Sequence, residues 1–152
     1  MKFKNKIMIT IAGFSLMSSV ANADIIFQHT PGAGQDYCST TPGKWHGSGS
    51  ASDGAIKCTY TGDVIVSATS NPTQFMMDVS MKKSSGSRAC LANVNFTLPA
   101  DCINNAITVK NEYADLNGIL SNNGKTADFT GMIIIPDVGS FNVDYMHLDK
   151  QQ

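Results

Sequence analysis

Apolar and polar residues alternate with a period of two through most of the chain beyond residue 55, the signature of strands with one buried face. Ile56, Cys58 and Tyr60 alternate with Lys57, Thr59 and Thr61. Gly62-Asp63 follows as a turn, and Val64-Ile65-Val66 starts a strand that Asn71-Pro72 breaks. Phe75, Met77, Val79 and Met81 form the next inward set, and Lys82 to Arg88 reads as a Ser/Gly loop. Cys90, Ala92, Val94, Phe96 and Leu98 follow; Pro99 ends that run, with Cys102 in the loop beyond. Ile107 and Val109 mark another strand.

Leu116 to Gly131, LNGILSNNGKTADFTG, contains Gly-Lys-Thr, the end of a nucleotide-binding loop. Such a loop has four residues between its glycines and opens a helix. Here five residues separate Gly118 from Gly124, and the residues after Lys125 alternate as a strand does. Leu116, Gly118 and Leu120 share one face, as do Ala127, Phe129, Gly131, Ile133 and Ile135. Asn122-Asn123-Gly124-Lys125 between them reads as a tight hairpin turn of type I′, which Asn-Gly favours. A final strand carries Phe141, Val143, Tyr145 and His147. The expectation is an all-β fold: a compact antiparallel β-barrel or β-sandwich of seven to nine strands.

The last two strands are apolar on both faces, with Met132 and Ile134 opposite Ile133 and Ile135, and Met146 and Leu148 opposite Tyr145 and His147. A sheet with one face in water does not have this pattern. A cover is expected: the N-terminal arm, a second sheet, or another copy of the chain, making these strands the candidate homo-oligomer surface.

The first residues are of another kind. Lys2, Lys4 and Lys6 precede a mostly apolar run from Ile7 to Val20, and Ala21-Asn22-Ala23 supplies small residues for cleavage. Residues 1–23 therefore read as a secretory signal peptide cut after Ala23, in a bacterial style. Residues 24–43 form an N-terminal arm and 44–152 a single β domain. The expected location is periplasmic or secreted, with no transmembrane segment. Removing the leader leaves eight basic against twelve acidic residues, a net charge of −4 that argues against nucleic-acid binding.

Cys38, Cys58, Cys90 and Cys102 all follow the cleavage site. An even set in an oxidising compartment predicts two disulfides, and short local loops favour Cys38–Cys58 with Cys90–Cys102. No Cys-x2-Cys spacing suggests zinc, and no metal or cofactor is expected. No Gly-x-Ser-x-Gly elbow is present, and His29, His46 and His147 lie far apart in sequence. Asp53, Asp63, Asp101 and Asp137 stand at turn positions. No catalytic residue is assigned. A small secreted hydrolase remains an alternative only if these histidines and aspartates meet in a cleft.

The leading expectation is a non-enzymatic binding protein. Lys82, Lys83 and Arg88, with Ser85 and Ser87 between them, form the main basic cluster of an acidic chain. Such a loop suits a phosphorylated lipid headgroup or an anionic glycan. For a bacterial source this includes a secreted factor acting on a host membrane.

Gly43-Lys44-Trp45 at the head of a β-barrel resembles the first-strand Gly-x-Trp signature of lipocalins and their relatives. The resemblance implies a tryptophan packed across the closed end of the barrel. It also implies a small apolar ligand inside, among Phe75, Met77, Val79, Phe96 and Phe129. A carrier of that kind needs an interior cavity of roughly a few hundred Å³.

Overall fold

The computed structural model describes residues 34–152. The expected signal peptide and cleavage site, residues 24–33 of the expected arm and His29 lie outside the described residues. Eight strands form one closed antiparallel barrel: β1 (Gly43–Asp53), β2 (Ile56–Ala68), β3 (Gln74–Gly86), β4 (Asn93–Ile103), β5 (Ala106–Lys110), β6 (Ala114–Ser121), β7 (Thr126–Ile135) and β8 (Gly139–Lys150). Each pairs with the next in sequence, and β8 returns to β1. Closure gives every strand a neighbour on both sides over at least part of its length, and gives the inward set of every strand one shared core. Among the described residues, no helix is long and apolar enough to cross a membrane.

The period-two pattern locates the strands but not their ends. Gly62-Asp63 is no turn, because β2 runs through it from Ile56 to Ala68. Gly62 faces inward where β3 crosses closely, and a Cβ there would lie 2.1 Å from the Ser80 carbonyl oxygen. The glycine serves a close approach of two backbones, not a reversal. Asp63 and Asp101 likewise sit within β2 and β4 rather than in turns. β3 continues through Lys82 to Gly86, so only the residues after Gly86 form the connection to β4.

Pro99 does not end β4, which extends to Ile103. Lys83 N–H donates to Ala92 O, and Cys102 N–H to Thr73 O. With the register of β3 and β4, these bonds aim the even-numbered residues of β4 at β3 and the odd-numbered ones the other way. The nitrogen of Pro99 therefore faces β5. The β4–β5 ladder holds only Asp101–Ile103 against Ala106–Thr108. Two residues further it would need a donor at Pro99, and there is none. What the proline ends is the ladder, not the strand.

The Asn122–Lys125 hairpin connects β6 and β7, but through four residues. Asn122, Asn123 and Gly124 all have positive φ, and Lys125 N–H donates to Ser121 O. The two-residue turn with both residues left-handed is Asn104-Asn105, between β4 and β5.

The doubly apolar last strand is explained by a β-bulge. Phe129 pairs with Met146 and Gly131 with Val143, so β8 carries one extra residue there. Phe141 and Val143 point inward before the bulge, and Met146 and Leu148 after it. Tyr145 and His147 face outward. Asp144 clamps the bulge by accepting hydrogen bonds from Ser50 Oγ (3.0 Å) and Ser52 Oγ (2.8 Å). Only Met132 and Ile134 of β7 and Tyr145 of β8 remain as large apolar groups on the outer face of these two strands.

The disulfides are Cys38–Cys102 and Cys58–Cys90, not the local pairs. Cys38 precedes β1, whereas Cys58 pairs with Ala51 near the far end of the same hairpin. Cys90 precedes β4 and Cys102 lies at its other end, about 30 Å away at strand rise. Residues near in sequence are thus held at opposite ends of the barrel, and each bond joins elements at one end.

At the Cys38 end the barrel is plugged. A 3-10 turn, Cys38–Thr40, crosses the opening. Tyr37 N–H donates to Asn105 Oδ1 (2.7 Å) and its hydroxyl to Asn123 Oδ1 (2.9 Å), joining the β4–β5 and β6–β7 turns. Trp45 is 1% exposed, donates through Nε1 to Thr41 O (2.9 Å), and lies 5.7 Å beneath Lys150 Nζ. Phe75 and Phe129 pack with it, leaving a void of only about 10 Å³.

Candidate functional site: the open end and its side cleft

The opposite end is built differently. Met77, Val79, Met81, Phe96 and Leu98 surround an interior cavity of about 80 Å³. Leu91, Ile135, Val138 and Phe141 ring its mouth. Of the side chains expected to line an interior, Met77, Val79 and Phe96 do so, whereas Phe75 and Phe129 belong to the plugged end. The cavity alone is far smaller than a drug-sized pocket of about 300–1,000 Å³. A second space adjoins it. Leu91, Val94, Phe96, Leu98 and Ile135 also line a cleft of about 470 Å³, whose outer walls are Asn93, Asn95 and Thr97 on one side and Tyr113 and Pro136 on the other.

This cleft follows from local sequence. Pro99 stops the β4–β5 ladder, and β5 ends at Lys110. Asn111 then turns the chain, its Oδ1 accepting from Tyr113 N–H and Ala114 N–H (both 2.8 Å). The β5–β6 hairpin therefore stops short of the start of β4, and from Asn93 to Pro99 β4 is paired with β3 but has no partner on its β5 side. No apolar periodicity reports this gap; the cue in the sequence is one proline followed by a short strand and an Asn-led turn.

Three methionines around the cavity (Met77, Met81 and Met146) have flexible thioether chains that adapt to an occupant. Tyr60 is a polar lining group. Burial raises its phenol above the ordinary value, so it stays protonated at neutral pH and can donate a hydrogen bond. Among the described residues no acceptor lies within hydrogen-bond reach of its hydroxyl.

The basic segment lies at the same end, where the connection from β3 reaches Leu91. Lys83 is turned back into the chain, its Nζ donating to Ser87 O (3.2 Å) and reaching Cys90 O at 3.5 Å. Ser87 Oγ accepts from Ala89 N–H (3.2 Å). Ser85 is exposed on β3 opposite Thr59. Lys82 and Arg88 are exposed and form no ion pair among the described residues. The five residues thus share one hairpin, in which backbone carbonyls engage Lys83 while Lys82 and Arg88 are exposed.

Both described histidines meet aspartates, on the outer wall. His46 Nδ1 lies 2.7 Å from Asp63 Oδ1, and His147 Nδ1 lies 2.6 Å from Asp128 Oδ1 with Asp149 Oδ1 3.5 Å from Nε2. These pairs stand on exposed strand faces, away from the cavity and cleft. Among the described residues no group of three or more His, Cys, Asp or Glu is placed to hold a metal ion.

The hydrogen bond to Asp128 holds the His147 imidazole above its ordinary pKa of 6.5. A raised folded-state value gives stability that is full below the unfolded pKa and is lost as pH rises through the folded one. The midpoint of thermal unfolding should fall slightly from pH 6 to pH 8 relative to His147→Gln, in which that part of the pH dependence disappears. The side chain is exposed, so the effect is small. An identical pH profile in the variant would show that the pair contributes nothing.

No family model matches the chain, and no curated protein does. Among solved structures, the siderocalin Ex-FABP, described as functioning through dual ligand specificities, is similar. The TM-score is 0.42 at 10% identity, over 74% of this chain and 70% of that one. The barrel itself rests on its own strand pairing.

Proposed function

We propose that the protein binds a small apolar or amphiphilic molecule whose chain enters the barrel through the cleft beside β4. The observation that carries this reading is that the interior cavity and the cleft lie side by side, sharing Leu91, Val94, Phe96, Leu98 and Ile135 as lining. An apolar chain there gains by leaving water, at roughly 0.8 kcal/mol per buried methylene. The plugged end gives the occupant one way in and out.

The test is titration with a dansyl-labelled fatty acid, on the protein and on Leu91→Trp. Leu91 is 37% exposed, so an indole there obstructs the mouth without disturbing the core. The expected result is saturable binding that weakens roughly tenfold or more in the variant, a change of about 1.4 kcal/mol. Absence of saturable binding, or unchanged affinity in Leu91→Trp, would refute the reading.

A second reading concerns an anionic partner, a lipid headgroup or a glycan, at the same end. It is favoured by the exposure of Lys82 and Arg88 without ion-pair partners. Binding to anionic vesicles that falls with rising salt, and is lost in Lys82→Ala/Arg88→Ala, is its signature.

A further inference from the structure

The unpaired stretch of β4 is more than a wall of the cleft. Bonds to β3 use the even-numbered residues of β4, so the N–H and C=O groups of Asn93, Asn95 and Thr97 and the carbonyl of Pro99 point into the gap. No other backbone group among the described residues pairs with them. The outward side chains here, Asn93, Asn95 and Thr97, carry no charge, whereas exposed edges are commonly blunted by charged residues. Directly behind this edge lies the apolar cleft, between Phe96 and Leu98 on one side and Tyr113 and Pro136 on the other.

We infer that this edge takes an extended peptide as an added strand, with the peptide backbone pairing along Asn93 to Pro99 and its alternate apolar side chains entering the cleft. Unpaired ladder groups supply affinity in this mode, and pockets for every second side chain supply selectivity. The peptide's own pattern is thereby specified: apolar residues at alternate positions, and no charge on the face that enters. A single strand needs less room than a second copy. Tyr113, Ile135 and Pro136 stand across the gap, and a second barrel would bring its own β3 and wall into that space. The inference uses the same cleft as the proposed ligand site but rests on the backbone edge, so either can fail without the other.

The test uses a short capped peptide alternating valine and threonine, with the same peptide N-methylated at alternate residues as control. Binding is followed by calorimetry, and amide hydrogen exchange is measured at Asn93, Asn95 and Thr97. The key variant is Asn95→Pro, which removes one donor from the open edge and none from the β3 ladder, as Pro99 already does two turns of the pleat away. The expected result is slowed exchange at the three amides on binding, with affinity lowered roughly tenfold by Asn95→Pro and by N-methylation. Fatty-acid binding is measured separately on the parent protein, so that its failure and the failure of peptide binding are read independently. If the variant is less folded by circular dichroism, the N-methylated peptide alone decides. No protection of these amides, or equal binding of the N-methylated peptide, overturns the inference. A concentration-dependent dimer abolished by Asn95→Pro overturns it too, by giving the edge to a second copy.

Discussion

Trp45→Ala should destabilise the barrel by about 3–5 kcal/mol, the usual cost of truncating a buried aromatic to alanine. That is a large share of the roughly 5–15 kcal/mol that holds a domain folded. Trp45 is 1% exposed, and its Nε1–H bond to Thr41 O ties strand β1 to the segment that plugs the barrel. Removing the indole empties the plugged end and leaves that carbonyl without its donor. Because this is the only tryptophan of the chain, unfolding in denaturant has to be followed by circular dichroism. Fatty-acid affinity at moderate temperature should change little, since the cavity lies at the other end. A stability loss below about 1 kcal/mol would contradict the account of the plugged end.

The second large effect is expected from Cys38→Ala/Cys102→Ala. The bond closes a loop with a sequence separation of 64, for which the chain-entropy model predicts a loss of about 4 kcal/mol. It is also the covalent link between the Cys38–Thr40 plug and the end of β4. Denaturant unfolding of the double variant should shift accordingly, and peptide mapping without reductant should recover Cys38 linked to Cys102 in the parent protein. Recovery of Cys38 linked to Cys58 would refute the arrangement of the ends. Cys38 and Trp45 belong to one packed cluster, so the two losses should combine to less than their sum.

Several features of the fold are legible in residue order because they are local. A strand with one buried face must alternate, and Phe75 to Met81 does. Asn122-Asn123-Gly124 supplies the left-handed residues of a reversal, which disposes of the nucleotide-loop reading of Gly-Lys-Thr. Gly124 adds a constraint no local pattern contains, since a Cβ there would lie 2.6 Å from Thr40 Oγ1 of the plug.

The misread features share one cause. Gly62 and Pro99 are turn residues by local chemistry, yet both lie inside strands. Gly62 is required by a neighbouring backbone, and Pro99 is tolerated because its nitrogen faces a ladder that stops there. The last strand seemed apolar on both faces because a bulge shifts its inward set by one residue, and a bulge is defined only against a partner strand. The cleft escaped the sequence for the same reason. The basic segment was visible as composition, while the cleft exists only because β4 outruns β5.

The sequence by itself determined the all-β class, the hairpin at Asn122–Lys125 and the inward face of most strands, because these follow from backbone geometry over a few residues. Tertiary structure alone decided that the sheet closes, which cysteines meet and where the wall is left open. Those outcomes depend on which strand ends share an end of the barrel and how far each ladder runs, and both are set by pairing between residues distant in the chain.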